Sequence, residues 1–124
     1  MPVLNRPARP THELPGARFT TLASPRLGTA ETSVWMLELD AGAEPVPHCV
    51  TREEIFVALA GEARATLDGV AHVVRAGEAL AVPPGVQFTL ATSGSTPFRA
   101  IVCLPVGGQA KLAGGDPFTP PWAE

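Results

Sequence analysis

Glycine and proline interrupt this sequence so often that little room is left for helices. Its 124 residues include 12 Gly and 14 Pro spread along the chain, and no segment keeps a 3.6-residue apolar period for three turns. Between the interruptions lie short runs of β-branched, aromatic and aliphatic residues, at 19–22, 34–39, 55–59, 63–67, 70–74, 80–82, 86–90 and 98–104. The steps that separate them include Asp40-Ala41-Gly42, Ala60-Gly61, Ala76-Gly77, Pro83-Pro84-Gly85 and Ser93-Gly94. Asp68-Gly69 is the strongest turn signal, because a two-residue hairpin turn of this kind needs positive φ. Strands at this spacing predict an all-β sandwich or barrel. The length suits one domain, and 45% hydrophobic residues supply a core that needs no disulfide or metal to fold. Residues 1–16, with Pro2, Pro7, Pro10 and Pro15, read as an extended arm. Residues 17–106 read as the barrel. The Gly/Pro-rich tail, 107–124, is expected to pack through Phe118 and Trp122 or to stay loose.

Charge and composition remove several classes of function. Nine Lys and Arg stand against twelve Asp and Glu, for a formal net charge of -3. No basic stripe offers a nucleic-acid or anionic-membrane surface. Tyr is absent, so no mechanism here uses a tyrosine acid, base or radical. The opening MPVLNRPARP lacks the apolar stretch of a secretory signal, and no run is long enough for a membrane-spanning helix. With no export signal, Cys49 and Cys103 are expected as reduced thiols in the cytoplasm. No CxxC, phosphate loop, Ser-His-Asp spacing or HExxH motif occurs.

Residues 42–61, GAEPVPHCVTREEIFVALAG, and 77–92, GEALAVPPGVQFTLAT, resemble the two signature motifs of the cupin superfamily. The first motif runs G, five residues, HxH, three or four residues, E, six residues, G. Gly42, His48, Glu54 and Gly61 stand at its places. The second runs G, five residues, PxG, two residues, H, three residues, N, and Gly77, Pro83 and Gly85 match it. The resemblance covers about residues 34–104 and is to small, single-domain, RmlC-like cupins. It implies an antiparallel jelly-roll barrel and a homodimer, with the Pro-rich arm and the tail as natural pieces to cross a two-fold interface and exposed edge strands as a reason for pairing.

The departures from the motifs bear on chemistry. In metal-dependent cupins, two His and a Glu of the first motif and the His of the second hold the ion. Here Val50 and Phe88 replace two of those histidines, and Thr92 replaces the Asn, so His48 and Glu54 remain. A catalytic transition-metal site takes about three protein ligands. Cys49 follows His48 directly and points to the opposite strand face, so a third ligand would have to come from Gln87 or Cys103. No cofactor is expected, and a divalent metal on His48 and Glu54 is the minority reading.

Alternation from His48 puts Val50 on the inner face, with Glu54, Phe56 and Ala58 sharing a face after the turn. Trp35, Leu37 and Leu39, then Ala63, Ala65 and Leu67, then Leu80 and Val82, then Val86, Phe88 and Leu90 complete a candidate lining. The large residues among small ones predict either a filled barrel or an apolar pocket with few polar groups. The expected ligand contacts are Trp35, Val50, Phe56, Ala58, Ala65 and Phe88, and the expected catalytic pair is His48 and Glu54. In that pair the Glu would orient the imidazole and raise its pKa. The alternative for the pair is a buried, hydrogen-bonded remnant of a metal site. The other candidates have plainer expectations. His72 reads as a packing residue, His12 as solvent-exposed in the arm, Arg52 and Glu53 as rim charges, and Cys103 as a small buried hydrophobe. Arg64 and Arg99 lie on solvated strand faces or reach the mouth to pair a ligand carboxylate.

The function expected is therefore a metal-independent cupin that binds a small apolar or aromatic molecule. Any turnover would be proton transfer, as in an isomerase, cyclase or lyase. A dioxygenase-like metalloenzyme on His48 and Glu54 and a non-catalytic ligand sensor are the alternatives.

Overall fold

The computed structural model describes residues 3–124, and the first two residues of the arm lie outside them. In chain order the strands are β1 His12–Leu14, β2 Ala17–Ala23, β3 Thr32–Leu39, β4 His48–Val50, β5 Glu54–Ala60, β6 Glu62–Leu67, β7 Val70–Arg75, β8 Ala79–Val82, β9 Phe88–Thr92, β10 Phe98–Pro105 and β11 Ala110–Leu112. Single 3-10 turns at Pro25–Leu27 and Pro121–Ala123 complete the described elements. No helix among them is long and apolar enough to cross a membrane.

Strict alternation on β10 shows how the sheets are built. Phe98, Ala100, Val102 and Leu104 are buried, while Arg99, Ile101 and Cys103 face outward, the period of two that a sheet with one solvated face imposes. β10 pairs antiparallel with β3 on one side and β5 on the other. The resulting six-stranded sheet runs β1-β2-β3-β10-β5-β8. A five-stranded sheet, β11-β4-β9-β6-β7, packs against it, and all pairings are antiparallel. The core between the sheets includes Trp35, Phe56, Val82, Phe88, Phe98 and Val102.

The turn signals hold where their chemistry demands it. Asp68 and Gly69 have φ of 46° and 82°, the two positive values of a type I′ turn, and they join β6 to β7 with Leu67 opposite Val70. The strand expected at 86–90 starts later, at Phe88. The Pro83-Pro84-Gly85 turn runs on to Val86, whose N–H bonds the Pro83 carbonyl while Gly85 N–H bonds Val50.

Both ends of the chain are more structured than their composition suggests. Within the arm, β1 pairs with β2, placing His12 opposite Phe19. His12 is half-buried with its ring edge-on to Trp122, not free in solvent. In the tail, β11 pairs with β4, and Phe118 exchanges backbone bonds with Ala110. Trp122 stacks on Phe19 with ring centroids 3.6 Å apart and planes 4° from parallel. Thr21 Oγ1 and Ser33 Oγ donate to the carbonyls of Trp122 and Ala123, at 2.8 and 2.7 Å. A hydrophobic residue with a partner on a formed sheet thus orders a segment that Gly and Pro content alone leaves undecided. His72 departs from expectation in the opposite sense: it is exposed on β7 and packs nothing into the core.

Gly61 and Gly77 separate two reasons for a motif glycine. Both have positive φ, 76° and 89°. A Cβ on Gly61 would collide with the Pro97 carbonyl oxygen, whereas one on Gly77 would meet nothing within 4 Å. Gly77→Ala should therefore cost about 1 kcal/mol of backbone strain. Gly61→Ala adds overpacking and should cost about 3 kcal/mol. Urea unfolding of the two variants checks the order, and equal costs would contradict it.

Candidate functional site

His48 opens β4, where its backbone faces Phe88 of β9 and Leu112 of β11. Its half-buried ring lies 4.3 Å from the Phe88 ring, centroid to centroid, tilted by 46°. Nδ1 lies 2.9 Å from the Val46 carbonyl oxygen. A carbonyl only accepts, so Nδ1 carries the proton and, in the neutral ring, Nε2 is the free base. Burial pushes the His48 pKa down, offset in part by the Val46 hydrogen bond.

Glu54 opens β5 opposite Val82 of β8, and its side chain shares the inner face with Phe56. The residue is only 5% exposed, and its carboxyl has no hydrogen-bond partner among the described residues. Burial alone pushes its pKa up from 4.5 to about 8, because an ionised carboxylate loses its hydration here and gains no counter-charge. Glu54 is therefore an acid at neutral pH. The expected orientation of His48 by Glu54 is not what forms. The imidazole is held by the Val46 carbonyl, and its pKa moves down rather than up.

Both side chains border one cavity of about 640 Å³ between the two sheets. Trp35 and Phe56 supply walls from the six-stranded sheet and Phe88 from the five-stranded one, with Leu37, Leu39 and Leu90 beside them. These were legible from alternation. Val50, Ala58 and Ala65 are buried but do not border the cavity. Ala58 flanks Gly61, the single residue by which the chain crosses from β5 in one sheet to β6 in the other. Near that corner Ala58, Ala63 and Ala65 are fully packed, at 0–1% exposure. Alternation tells which face a residue takes, not how wide the gap is at its level.

The walls missed in the sequence come from the chain ends. Leu14 and Pro15, then Leu112, Phe118, Pro121 and Trp122, close the same cavity. Phe19 also lines it, under the Trp122 ring. The apolar residues of a Gly/Pro-rich tail were the available signal, but only β11 pairing and the Trp122 stack aim them inward. Arg64 and Arg99 belong to the outward sets of β6 and β10, and neither borders the cavity. Arg99 instead lies 3.9 Å from the Met36 sulfur. Arg52 and Glu53 are exposed in the turn before β5.

The donors present do not fit a catalytic metal. His48 and Glu54 reach the cavity, but Gln87 is exposed beside the Asp68 turn, where its N–H bonds Asp68 Oδ1. Cys103 is on the outer face of β10, and burial there pushes its thiol pKa up. Among the described residues, no group of three or more His, Cys, Asp or Glu could hold an ion. Phe88, where the motif has its second-strand His, packs on His48 and lies edge-on to Phe56 at 6.1 Å, so its ring occupies the space beside the remaining donors.

Comparison with known proteins agrees with this architecture. The Cupin domain family model matches residues 35–104. A sequence comparison with curated proteins finds no match. Vicilin from tomato, Solanum lycopersicum, is similar in structure with a TM-score of 0.69 at 18% identity, over 84% of this chain and 32% of that one. This chain thus spans about a third of the vicilin's length. The polyketide cyclase RemF from Streptomyces resistomycificus gives 0.67 at 20% identity, over 82% of this chain and 73% of that one. An RmlC-like cupin from Shewanella frigidimarina gives 0.65 at 22% identity, covering 82% of this chain and 83% of that one. At these identities the likeness is one of fold.

The Glu54 shift has a sign that unfolding measurements can read. Its pKa is higher folded than unfolded, so the folded chain retains a proton that the unfolded chain releases. The stabilising effect is complete below pH 4.5 and is lost as pH rises through about 8. Glu54→Gln should therefore become more stable relative to wild type as pH rises from 5 to 9. Urea unfolding at three pH values checks this, and a constant difference would show that the carboxyl is not buried without a partner.

Proposed function

The chain belongs to the cupin family, and from that premise we propose that it binds a small, largely apolar or aromatic molecule in its barrel without a metal. One observation carries the reading: Glu54, a buried carboxyl with no partner among the described residues, faces a largely apolar cavity of about 640 Å³. Such a group is costly to keep unless something occupies the cavity and accepts its hydrogen bond. Mostly apolar walls with a few convergent polar groups are the usual character of a site for an organic ligand.

The pair also suits proton transfer. At neutral pH Glu54 can donate and His48 Nε2 can accept. On an enolisable ketone, a C–H proton would pass to Nε2 while Glu54 gives its proton to the carbonyl oxygen, leaving an enol, an imidazolium and a carboxylate. Reprotonation at carbon and return of the proton to Glu54 restore both groups. An isomerase or cyclase step can be built from this exchange, and RemF, described as a polyketide cyclase, offers a fold-level parallel.

Both tryptophans of the chain, Trp35 and Trp122, border the cavity, so emission reports on occupancy. The uncharged fluorophore N-phenyl-1-naphthylamine should quench tryptophan emission saturably. The α-protons of 2-tetralone should exchange with deuterium faster in its presence, by roughly 100-fold more for wild type than for His48→Ala or Glu54→Gln. Binding without exchange would make the chain a ligand sensor. Near-stoichiometric iron, manganese, nickel or zinc in purified protein, lost in His48→Ala, would replace this reading with a metalloenzyme.

We also propose that the chain forms a homodimer through a surface other than the arm and tail, whose strands β1 and β11 pair with β2 and β4. Ile101, Val57 and Ala79 lie in one register row on the outer face of β10, β5 and β8, while Met36, next in that row on β3, is covered and only 6% exposed. Ile55 and Leu59 flank Val57 on the same face. Outward positions of a solvated antiparallel sheet are ordinarily polar, and an apolar stripe across three strands fits a second copy of this chain. Wild type should be a dimer by light scattering, and Val57→Glu with Leu59→Glu a folded monomer. A wild-type monomer would remove the assignment.

A further inference from the structure

The opening of the cavity carries an apolar collar. Leu14, Val46, Leu112 and Phe118 are each between 42% and 54% exposed, and all four also border the cavity. They arrive from three separate stretches of sequence, namely β1, the loop before β4, and the tail. Large apolar side chains exposed singly are ordinary on a protein surface, whereas a cluster around one opening marks a contact site. The lining is also selective in charge. Among the described residues it contains no Lys or Arg, and its only ionisable side chains are Glu44, His48 and Glu54. A carboxylate or phosphate entering it would lose its hydration and meet no positive side chain except a protonated imidazole.

We propose that interior and collar form one elongated site for an uncharged ligand longer than the interior. A hydroxyl or carbonyl lies at Glu54, and an apolar chain or ring system emerges between Leu14, Val46, Leu112 and Phe118. This rests on the ligand-binding reading above and adds the ligand's shape and charge class. Continuity supports this occupant over a protein partner: the collar residues line the same cavity as Glu54 and Phe56, so one molecule reaches both.

A series of 4-n-alkylphenols, from methyl to nonyl, tests it through tryptophan quenching. For wild type, affinity should rise about fourfold per added methylene to the long end of the series. In Leu112→Ser and Phe118→Ser, both on the exposed rim, the gain should stop at intermediate length while the short members bind as to wild type. Alkylbenzoates of matched length should bind at least about tenfold more weakly, since their buried carboxylate has no counter-charge. A wild-type series that flattens early, rim variants that match wild type at every length, or benzoates that bind as tightly as phenols would each overturn the proposal. The first two of these leave the ligand-binding reading standing. If no alkylphenol binds, both fall together.

Discussion

A single register row across the six-stranded sheet governs the rest of the molecule. Trp35, Val102, Phe56 and Leu80 face one another on β3, β10, β5 and β8, all pointing inward. The adjacent row, Met36, Ile101, Val57 and Ala79, lies on the opposite face, with Met36 covered there. Side chains alternate with a period of two, so a slip of one residue would exchange the rows. Trp35 and Phe56 would then leave the cavity wall, and Glu54 would leave the interior. β10, bound on both sides, ties together the two strands on which the candidate site depends.

Given that register, side-chain size sets where the space lies. Near Gly61 the chain passes between sheets in a single residue, and the alanines at 58, 63 and 65 are packed there without bordering the cavity. Toward β1, β2 and β11 the sheets are lined by Phe19, Trp35, Phe88 and Trp122, yet a cavity of about 640 Å³ remains. Aromatic rings are flat and stiff, and they pack edge-on or stacked. The stack of Trp122 on Phe19 and the bonds from Thr21 and Ser33 make the C-terminus part of that wall.

The polar side chains inside are few, and their states follow from what surrounds them. With Phe88 packed on His48 and no cation in the lining, neither Glu54 nor His48 gains from being charged. One becomes a neutral acid and the other a neutral base. Phe88, where the family motif has a histidine, packs on His48, and burial shifts both His48 and Glu54 toward their neutral forms.

The turn chemistry, the alternation and the motif spacings made the all-β architecture and the cupin fold legible from residues alone, because positive-φ turns and two-residue periodicity are local properties. His48, Glu54, Trp35, Phe56 and Phe88 were legible for the same reason: motif spacing and alternation decide which face each takes. What remained for the tertiary structure were properties of distance between sheets. Only folding shows that Val50, Ala58 and Ala65 are packed away, that Gln87 and Cys103 lie outside the cavity, and that His48 bonds Val46 rather than Glu54. The arm and tail were least legible, since β1 and β11 are three residues each and gain stability only against strands already formed. Local sequence determined the strands and their inner faces; packing between residues far apart in the chain decided which inner faces line a cavity.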